Sequence, residues 1–464
     1  MRAAGAWRVV PVLLLMLGGA CERTGPGSGS GGAGPGRAGG AGGVPAAAGE
    51  DGGTDGMDRL AMLRLPAEPG FAEVTGPTPL RFPADFGPHP QYRYEWWYFT
   101  GRLRSAQGQF GFELTFFRFA LAPPAAASAS ASAPASAPAS ALALASAPAS
   151  ASAPALGAGA TPSRWRAREL YAAHFAITDL PRRRFHSAVR VARAALGLSG
   201  ATTQPLAVWV RDWSLSQAPA APGATAGSPR TAQGLRGAGA GEPALPRWRL
   251  RAADADYALQ LDLDAVAAPV LNGAAGFSRK ADEPGAASEY YSIPRLQARG
   301  TLWRGGQPQT VAGEAWLDRE WGSGALGAGQ EGWDWFALQL DDGSTLMFYA
   351  LRRRGGGYDR HSAGTWVDAQ GRPQQLAAAD VQIDVRAHWA SPRGGRYPAA
   401  WQLRVPRLKL ALAIRPVLAD QEVQATPRYW EGAVDAAGTR QGLALTGSGY
   451  VELVGYADSE MPDR

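Results

Sequence analysis

The apolar and polar residues of this chain alternate with a period of two over many short segments. A clear example is EWWYFTG, residues 95–101, in which Glu95 shares one side with Trp97 while Trp96 and Tyr98 share the other. Side chains that alternate between two faces are typical of β-strands, and aromatic residues favour strands. The stretch therefore predicts a strand with aromatic side chains on both faces and a carboxylate on one of them.

Turn residues separate these alternating segments, and helical periodicity is scarce. Asp342 and Gly343 stand between two apolar runs in LQLDDGSTLMFYALR, a strong hairpin signal, and LWRGGQPQTV predicts a looser hairpin. The segment FHSAVRVARAAL, residues 185–196, predicts the one helix. The predicted strands are too many for one sheet, so we expect an all-β chain with two antiparallel barrels or sandwiches in tandem that join near residues 292–305.

Three stretches of low complexity interrupt the alternating pattern. Residues 22–68 are mostly Gly, Ala, Pro and short polar residues, residues 121–163 are almost entirely Ala, Ser and Pro, and residues 217–246 are similar. Such segments cannot bury enough apolar surface to become ordered, so we predict a disordered tether and two disordered loop inserts. The predicted domains are a first at 69–294 and a second at 295–458, followed by a tail at 459–464.

The N-terminus has the features of an export signal. A basic start precedes an apolar run from Val9 to Leu17, and small residues lead to Cys21, the single cysteine of the chain. The run is too short to span a membrane, and a cysteine after small residues is typical of bacterial lipoprotein processing. We therefore expect residues 1–21 to be a lipoprotein signal peptide, Cys21 to be lipidated, and the body to be anchored to a membrane and to face the periplasm or the cell exterior. Secretion without lipidation is the alternative.

Charge and motif content narrow the function classes. The net charge is +6, from scattered arginines, and the sequence has no nucleic-acid recognition motif, so we expect a solvated basic surface and no nucleic-acid partner. The five histidines lack metal-ligand spacing and the cysteine is assigned to lipid, so no metal site is expected. The sequence also lacks a phosphate-binding glycine loop and a G-x-S-x-G nucleophile motif.

The densest candidate chemistry lies in GEAWLDREW, residues 313–321. Alternation places Trp316, Asp318 and Glu320 on one face, with the two carboxylates about 7 Å apart. Inside an apolar barrel, burial raises the pKa of a carboxyl group, and a neutral carboxylic acid can protonate an alkene. The sequence therefore predicts Asp318 as a catalytic acid and Glu320 as its partner, with aromatic faces around the cation that forms. The alternative is structural, with each carboxylate paired to an arginine or accepting an indole N–H.

Further side chains are candidates for lining a ligand pocket. Acid and tryptophan also occur together in WDWF at 333–336 and in RYWEG at 428–432, and this recurrence favours a structural role for the carboxylates. His89 stands at the entry to a strand, where a pocket mouth is expected, and His174 is either a hydrogen-bonded barrel residue or a base. The candidate ligand-binding residues are His89, Glu95, Trp97, Tyr98, His174, Trp316, Trp321, Asp334 and Trp335.

Eight sequence blocks occur in the order found in one known family. They include GPHPQYRYEWWYFTGRL, SEYYSIPRL, AWLDREWGS and GSGYVELVGY, and they cover about residues 87–457 apart from the two inserts. The chain resembles the bacterial lipocalin-like family that contains carotenoid 1,2-hydratase and the attachment-operon protein H. The resemblance implies two lipocalin-like β-barrels in tandem and an apolar ligand. For a hydratase it implies addition of water to an isoprenoid double bond without a cofactor, and it also implies an export-type ABC permease as a partner.

Two positions depart from the family pattern. Phe86 stands where the family often has His before GPHP, and Arg319 stands where many members have His in Asp-His-Glu-Trp, which removes one candidate proton donor. We therefore expect an exported, lipid-anchored protein that binds an apolar isoprenoid or lipid. A hydro-lyase resembling carotenoid 1,2-hydratase is the alternative, and an attachment or export accessory is the third interpretation.

Overall fold

The computed structural model describes residues 69–124, 168–218, 245–324 and 326–457. The predicted signal peptide with Cys21, the tether, the tail and most of both predicted inserts lie outside these residues.

The described chain is all-β, as predicted, and its strands form two antiparallel sheets. The strands of the first sheet are β1 (Tyr94–Ser105), β2 (Gly108–Ala120), β3 (Glu169–Asp179), β4 (Arg184–Arg193), β5 (Ser199–Thr203), β6 (Leu206–Val210), β7 (Trp213–Gln217), β8 (Arg247–Ala253), β9 (Tyr257–Ala265), β10 (Val270–Leu271), β11 (Phe277–Arg279), β12 (Ala287–Arg304) and β13 (Gln307–Gly324). Their order is β4-β3-β2-β1-β13-β12-β9-β8-β7-β6-β5, and β10 and β11 pair with β12 beside this path.

The second sheet contains the rest of the described strands. They are β14 (Gln330–Leu340), β15 (Thr345–Arg353), β16 (Ala363–Val367), β17 (Pro373–Ala377), β18 (Gln382–Ala390), β19 (Arg396–Val405), β20 (Leu410–Pro416), β21 (Glu422–Val423), β22 (Tyr429–Arg440) and β23 (Leu443–Val454). Their order is β17-β16-β15-β14-β23-β22-β20-β19-β18, and β21 pairs with β22. We call the two sheets, each curled like a lipocalin barrel, the first and second barrels.

The predicted helix at 185–196 is wrong, because Arg184–Arg193 form β4 and pair with β3 along their length. Phe185 and Val189 pack against a cluster of the second barrel, whereas Ala188 packs against the core of the first. Pairing and two-sided packing therefore outweigh the helix propensity of the alanines and arginines. The described helices are three short 3₁₀ turns, Ala84–Phe86, Ala378–Asp380 and Pro406–Leu408. Across the ranges given above, no helix has the length and hydropathy needed to cross a membrane.

Both predicted hairpins are confirmed. β14 and β15 pair across a turn in which Gly343 has a φ of 86°, and β12 and β13 pair across Gly305 and Gly306. The predicted boundary between residues 294 and 295 falls inside β12, however, and both β12 and β13 belong to the first sheet. Because β13 inserts between β12 and β1, a division of the chain by sheets comes after Gly324.

Each barrel has its own apolar core, and a third apolar cluster contains residues of both barrels. Along β13 the side chains alternate between these regions, as the sequence predicts. Leu317 and Trp321 belong to the core of the first barrel, whereas Trp316 belongs to the shared cluster together with Tyr98 and Trp335. The strand pleat thus points Asp318 and Glu320 towards the place where the two barrels meet.

Candidate functional site

The candidate site is a partly open pocket where the two barrels pack together. Its aromatic lining from the first barrel is Trp96, Tyr98, Phe117, Phe119 and Tyr290, and that from the second is Trp333, Trp335 and Tyr349. Leu326 and Leu351 add aliphatic surface. Four ionisable side chains, Lys280, Asp318, Glu320 and Glu452, face the same space. The pocket is therefore largely apolar with a small set of charged or acidic groups, as is usual for small-molecule sites.

Asp318 is held by three hydrogen-bond donors. Its Oδ1 accepts from the Ser292 hydroxyl at 2.6 Å and from the Trp316 indole N–H at 2.7 Å, and its Oδ2 accepts from the Tyr290 hydroxyl. Ser292 is opposite Asp318 in the pairing of β12 with β13, so the strand register itself delivers this donor. The carboxyl group is therefore fixed in orientation and faces the pocket.

The environment of Asp318 favours its neutral form. The pKa of Asp318 is raised to about 7: burial is the largest cause, the nearby Glu320 carboxylate acts in the same direction, and the donors Ser292, Tyr290 and Trp316 act against both. A carboxyl group with this pKa still carries its proton in a large part of the population near neutral pH. Asp318 can therefore donate a proton into the pocket.

Glu320 is paired with a buried lysine. Lys280 Nζ lies 3.0 Å from Glu320 Oε1, and the Ser288 hydroxyl donates to the same oxygen at 2.5 Å. Burial lowers the pKa of Lys280, but Glu320 and the Tyr349 hydroxyl more than offset this, so the net pKa is raised. The ammonium also lies 3.9 Å from the centre of the Tyr349 ring, in cation–π contact.

The second barrel supplies the facing wall. The Trp335 indole N–H donates to the Tyr290 hydroxyl at 3.0 Å, which connects β14 to the Asp318 network. The Trp335 ring meets the rings of Tyr98 and Trp316 edge to face, at 5.0 and 6.3 Å between centroids. Trp333 holds Glu452 by an indole N–H donated to Oε2 at 2.7 Å. The site is thus complete only when both barrels are in place.

Four of the predicted ligand-binding residues lie in or near the interior of the first barrel and do not line this pocket. Glu95 bonds to Arg118 and Arg319, and its pKa is held well below the usual range because these guanidiniums outweigh its burial. His89 stacks on Trp321 at 3.7 Å between ring centroids, and the Trp97 indole donates to the carbonyl of Phe86 at 2.9 Å. These residues form a structural network of buried charges and indoles. Glu95 lies in an aromatic strand because it is the shared ion-pair partner of two buried arginines, one of which also pairs with Glu169.

His174 and Asp334 also lie outside the lining. His174 Nδ1 is 2.8 Å from the Tyr429 hydroxyl, and its ring is 5.0 Å from that of Phe117, a pocket residue. Asp334 accepts from the Tyr456 hydroxyl at 2.8 Å and faces the Arg352 guanidinium at 3.3 Å. Burial nevertheless raises the pKa of Asp334, against the opposing effect of Arg352 and the tyrosines.

Sequence reasoning brought together Asp318, Glu320, Tyr98 and Trp335, which line the pocket, and Trp316, which supports it from behind. It missed Lys280, Tyr290, Tyr349 and Glu452. Lys280 directly follows the short strand β11, where nothing in the sequence signals burial beside β13. The described residues contain no group of three or more His, Cys, Asp or Glu side chains placed to hold a metal ion.

Comparisons with known proteins agree with the architecture. The sequence pattern of the family described as AttH-like matches residues 73–456. No curated protein matches the chain. The structure described as that of an AttH from Nitrosomonas europaea is 29% identical, has a TM-score of 0.63, and the match covers 83% of this chain and 100% of that one. Kievitone hydratase from Nectria haematococca is 14% identical with a TM-score of 0.55, over 84% of this chain and 98% of that one, a likeness of fold.

Proposed function

The chain belongs to the AttH-like family, and on that premise we propose that its inter-barrel pocket binds an apolar molecule and adds water to one of its carbon–carbon double bonds. The observation that carries the proposal is the position of Asp318, a carboxyl group with a pKa of about 7 that faces an aromatic pocket. A carrier has no need of a neutral carboxylic acid in its pocket, since burying one without a role costs free energy.

The reaction begins with proton transfer from Asp318. The π electrons of the alkene form the new C–H bond, and the more substituted carbon becomes a cation. The rings of Trp335 and Tyr98 line the pocket beside Asp318 and can stabilise that cation. Water then bonds to the cationic carbon and loses a proton, and the net change is the addition of one water molecule.

Glu320 is the acceptor for the proton lost by water. Both of its polar contacts, to Lys280 and to Ser288, use Oε1. Among the residues that the structure describes, Oε2 has no hydrogen-bond partner, and Glu320 lines the pocket. Two neighbouring carboxyl groups in different environments are a recurrent arrangement for an acid and a base. Glu320 then releases this proton to solvent, and Asp318 takes up a proton from solvent, which completes the cycle.

The likeness to kievitone hydratase is one of fold alone. Because one fold hosts many activities, the proposal depends on the residues of the site. The test is incubation of the purified protein with acyclic isoprenoid alkenes, both hydrocarbons and alcohols, in heavy-oxygen water, followed by mass spectrometry. We expect a hydroxylated product that carries the label and that Asp318→Asn abolishes, while Glu314→Gln on the same strand leaves it unchanged. An unchanged rate in Asp318→Asn, or no product from the wild type with any alkene in the series, contradicts the proposal.

A second candidate is a carrier that holds an isoprenoid or lipid without reaction, and the extent of the aromatic lining favours it. Extraction of the protein under mild conditions and mass spectrometry of the bound molecule distinguish the two. An unmodified ligand that stays bound on long incubation supports the carrier, and conversion supports the hydro-lyase.

We also propose that the mature protein is exported and lipid-anchored at Cys21, and that it works beside an ABC permease. The support comes from the sequence, namely the signal-like N-terminus and the family resemblance. The N-terminal residues lie outside the described ranges. Metabolic labelling with a fatty acid is expected to mark the wild type and not Cys21→Ser. Labelling of Cys21→Ser to the same extent contradicts it.

A further inference from the structure

We infer that Lys280 donates a hydrogen bond to a neutral oxygen atom of the ligand, so the ligand is an oxygen-bearing apolar molecule such as an isoprenoid alcohol or ketone and not a pure hydrocarbon. This deepens the proposed function and rests on it, because it names the substrate class of the same pocket.

Lys280 is built into the pocket wall. Its side chain is 8% exposed, and its backbone is fixed on both sides. The N–H donates to the carbonyl of Ala286 at 2.8 Å, and its carbonyl accepts from the Gln330 side chain of the second barrel at 2.7 Å. The ammonium group therefore has a defined position beside Glu320 and between the rings of Tyr290 and Tyr349.

The number of donors on Lys280 exceeds the number of its acceptors. An ammonium group has three N–H donors. In the described ranges its polar partners are two, the Glu320 carboxylate at 3.0 Å and the Tyr349 hydroxyl. The third donor has the faces of the Tyr290 and Tyr349 rings beside it, with ring centres 4.9 and 3.9 Å from the ammonium, and an oxygen atom in the pocket that Lys280 lines would be a stronger acceptor.

The remaining donor selects the ligand. When a hydrocarbon displaces water from the pocket, the third N–H of this buried charged group loses an oxygen acceptor and keeps only the aromatic faces, which is unfavourable. Sites built to hydrogen-bond a polar group discriminate well against analogues that lack it. An oxygen atom on the ligand satisfies the donor, while the apolar part of the ligand contacts the aromatic walls.

The charges of the site favour a neutral oxygen over a carboxylate. The positive charge of Lys280 is already balanced by Glu320 at 3.0 Å. Asp318 and Glu452 also face the pocket, and Glu431, opposite Glu452 across β22 and β23, is buried behind it. Among the described residues that line the pocket, the one cation, Lys280, is already paired, so an anionic ligand would be repelled by the ionised carboxylates; a neutral hydroxyl or carbonyl avoids that repulsion.

The test is a binding series with three probes of one carbon skeleton: geraniol, its carboxylate, and the corresponding hydrocarbon. Quenching of tryptophan fluorescence reports binding, because Trp96, Trp333 and Trp335 line the pocket. We expect the wild type to bind geraniol about tenfold or more tightly than the hydrocarbon, the gain typical of a hydrogen bond from a charged donor, and to bind the carboxylate no more tightly than geraniol. In Lys280→Met the preference for geraniol over the hydrocarbon disappears. Lys409→Met, at the other lysine of the chain, which is exposed, keeps it.

Equal affinity of the wild type for geraniol and the hydrocarbon overturns the inference, as does failure of all three probes to bind. The ranking of the three probes is measured on the wild type, so it stands even if the Lys280→Met protein unfolds because Glu320 has lost its partner. In that case the double variant Lys280→Met/Glu320→Gln, which removes both charges, replaces the single variant. The binding series involves no turnover. Hydration that depends on Asp318 without a preference for geraniol therefore removes the inference and leaves the proposed function intact.

Discussion

The guanidinium of Arg319 lies 2.6 Å from a carboxylate oxygen of Glu95 inside the first barrel, while its neighbour Asp318 faces the pocket. Both Arg319 and Glu95 are fully buried. Alternation along β13 thus separates a structural ion pair from a candidate catalytic acid in adjacent residues. This separation allows the stability of the fold and the chemistry of the site to be tested independently.

Removal of the Glu95 charge is expected to destabilise the fold strongly. In Glu95→Gln, the buried Arg319 guanidinium loses its carboxylate partner, and the buried Arg118 guanidinium keeps only Glu169. Breaking a buried pair in this way lowers the free energy of unfolding by about 3–5 kcal/mol. Chemical denaturation measures the change. The control is Asp256→Asn, which breaks an exposed pair with Arg184 and is expected to change stability by less than about 1 kcal/mol. Equal losses in the two variants contradict the structural role of Glu95.

Asp318 is expected to make the protein less stable as pH rises from about 4 to 7. In the folded protein its pKa is raised, chiefly by burial, to about 7 from the ordinary value of 3.8. Between these values the folded protein keeps a proton that the unfolded chain has lost, so the free energy of unfolding falls with rising pH, by roughly 4 kcal/mol in total. Below the lower value both states are protonated and this effect vanishes.

The measurement is the difference in free energy of unfolding between the wild type and Asp318→Asn as a function of pH. The asparagine does not titrate, so Asp318→Asn should gain relative stability across the same window. A difference that stays constant from pH 4 to pH 8 shows that Asp318 is ionised in the folded protein and has no proton to donate.

Tyr290 is expected to set the pH at which the proposed activity is lost. Activity that needs protonated Asp318 declines as pH rises through about 7. The Tyr290 hydroxyl bonds to Asp318 and lowers its pKa, so Tyr290→Phe shifts the decline to higher pH. A hydrogen bond to a charged group is worth about 1.5–3 kcal/mol, which corresponds to a shift of about 1–2 pH units.

A pH–rate profile of each variant checks this expectation. The control is Tyr291→Phe, next in sequence, whose hydroxyl donates to the carbonyl of Asp85 in the first barrel at 3.1 Å. That substitution should leave the profile in place. A shift towards lower pH in Tyr290→Phe, or the same shift in both variants, contradicts the assigned geometry.

Gly111 is expected to govern how closely the two barrels approach. A Cβ at this position of β2 would stand 2.5 Å from the Tyr450 hydroxyl and 2.9 Å from the Ala433 Cβ, both in the second barrel. Gly111→Ala therefore forces buried groups apart and is expected to lower the free energy of unfolding by about 1–3 kcal/mol. Gly76→Ala, where a Cβ would meet nothing within 4 Å, should change it by less than about 0.5 kcal/mol. A neutral Gly111→Ala shows that the barrels adjust freely.

Local pattern predicted the strands and hairpins well, since alternation and turn chemistry are properties of neighbouring residues. The one predicted helix failed for a related reason. The segment that became β4 has helix-forming alanines and arginines, and its pairing with β3 is a contact that short-range propensity does not contain. Sequence pattern also did not place β13 between β1 and β12, because that position depends on long-range pairing.

For the site, the sequence by itself determined that Asp318 and Glu320 share a face with Trp316, because the period of a strand requires it. It also favoured Asp318 over Glu95 as the catalytic acid, although both acids lie in similar aromatic strands, and it left Glu95 among the pocket-lining candidates. Only the tertiary structure decided that Glu95 meets two arginines while Asp318 meets neutral donors and the pocket, and that Lys280, from a distant turn, pairs with Glu320. The physical reason is that ionisation depends on burial and on charges close in space, and those neighbours come from strands far apart in the chain.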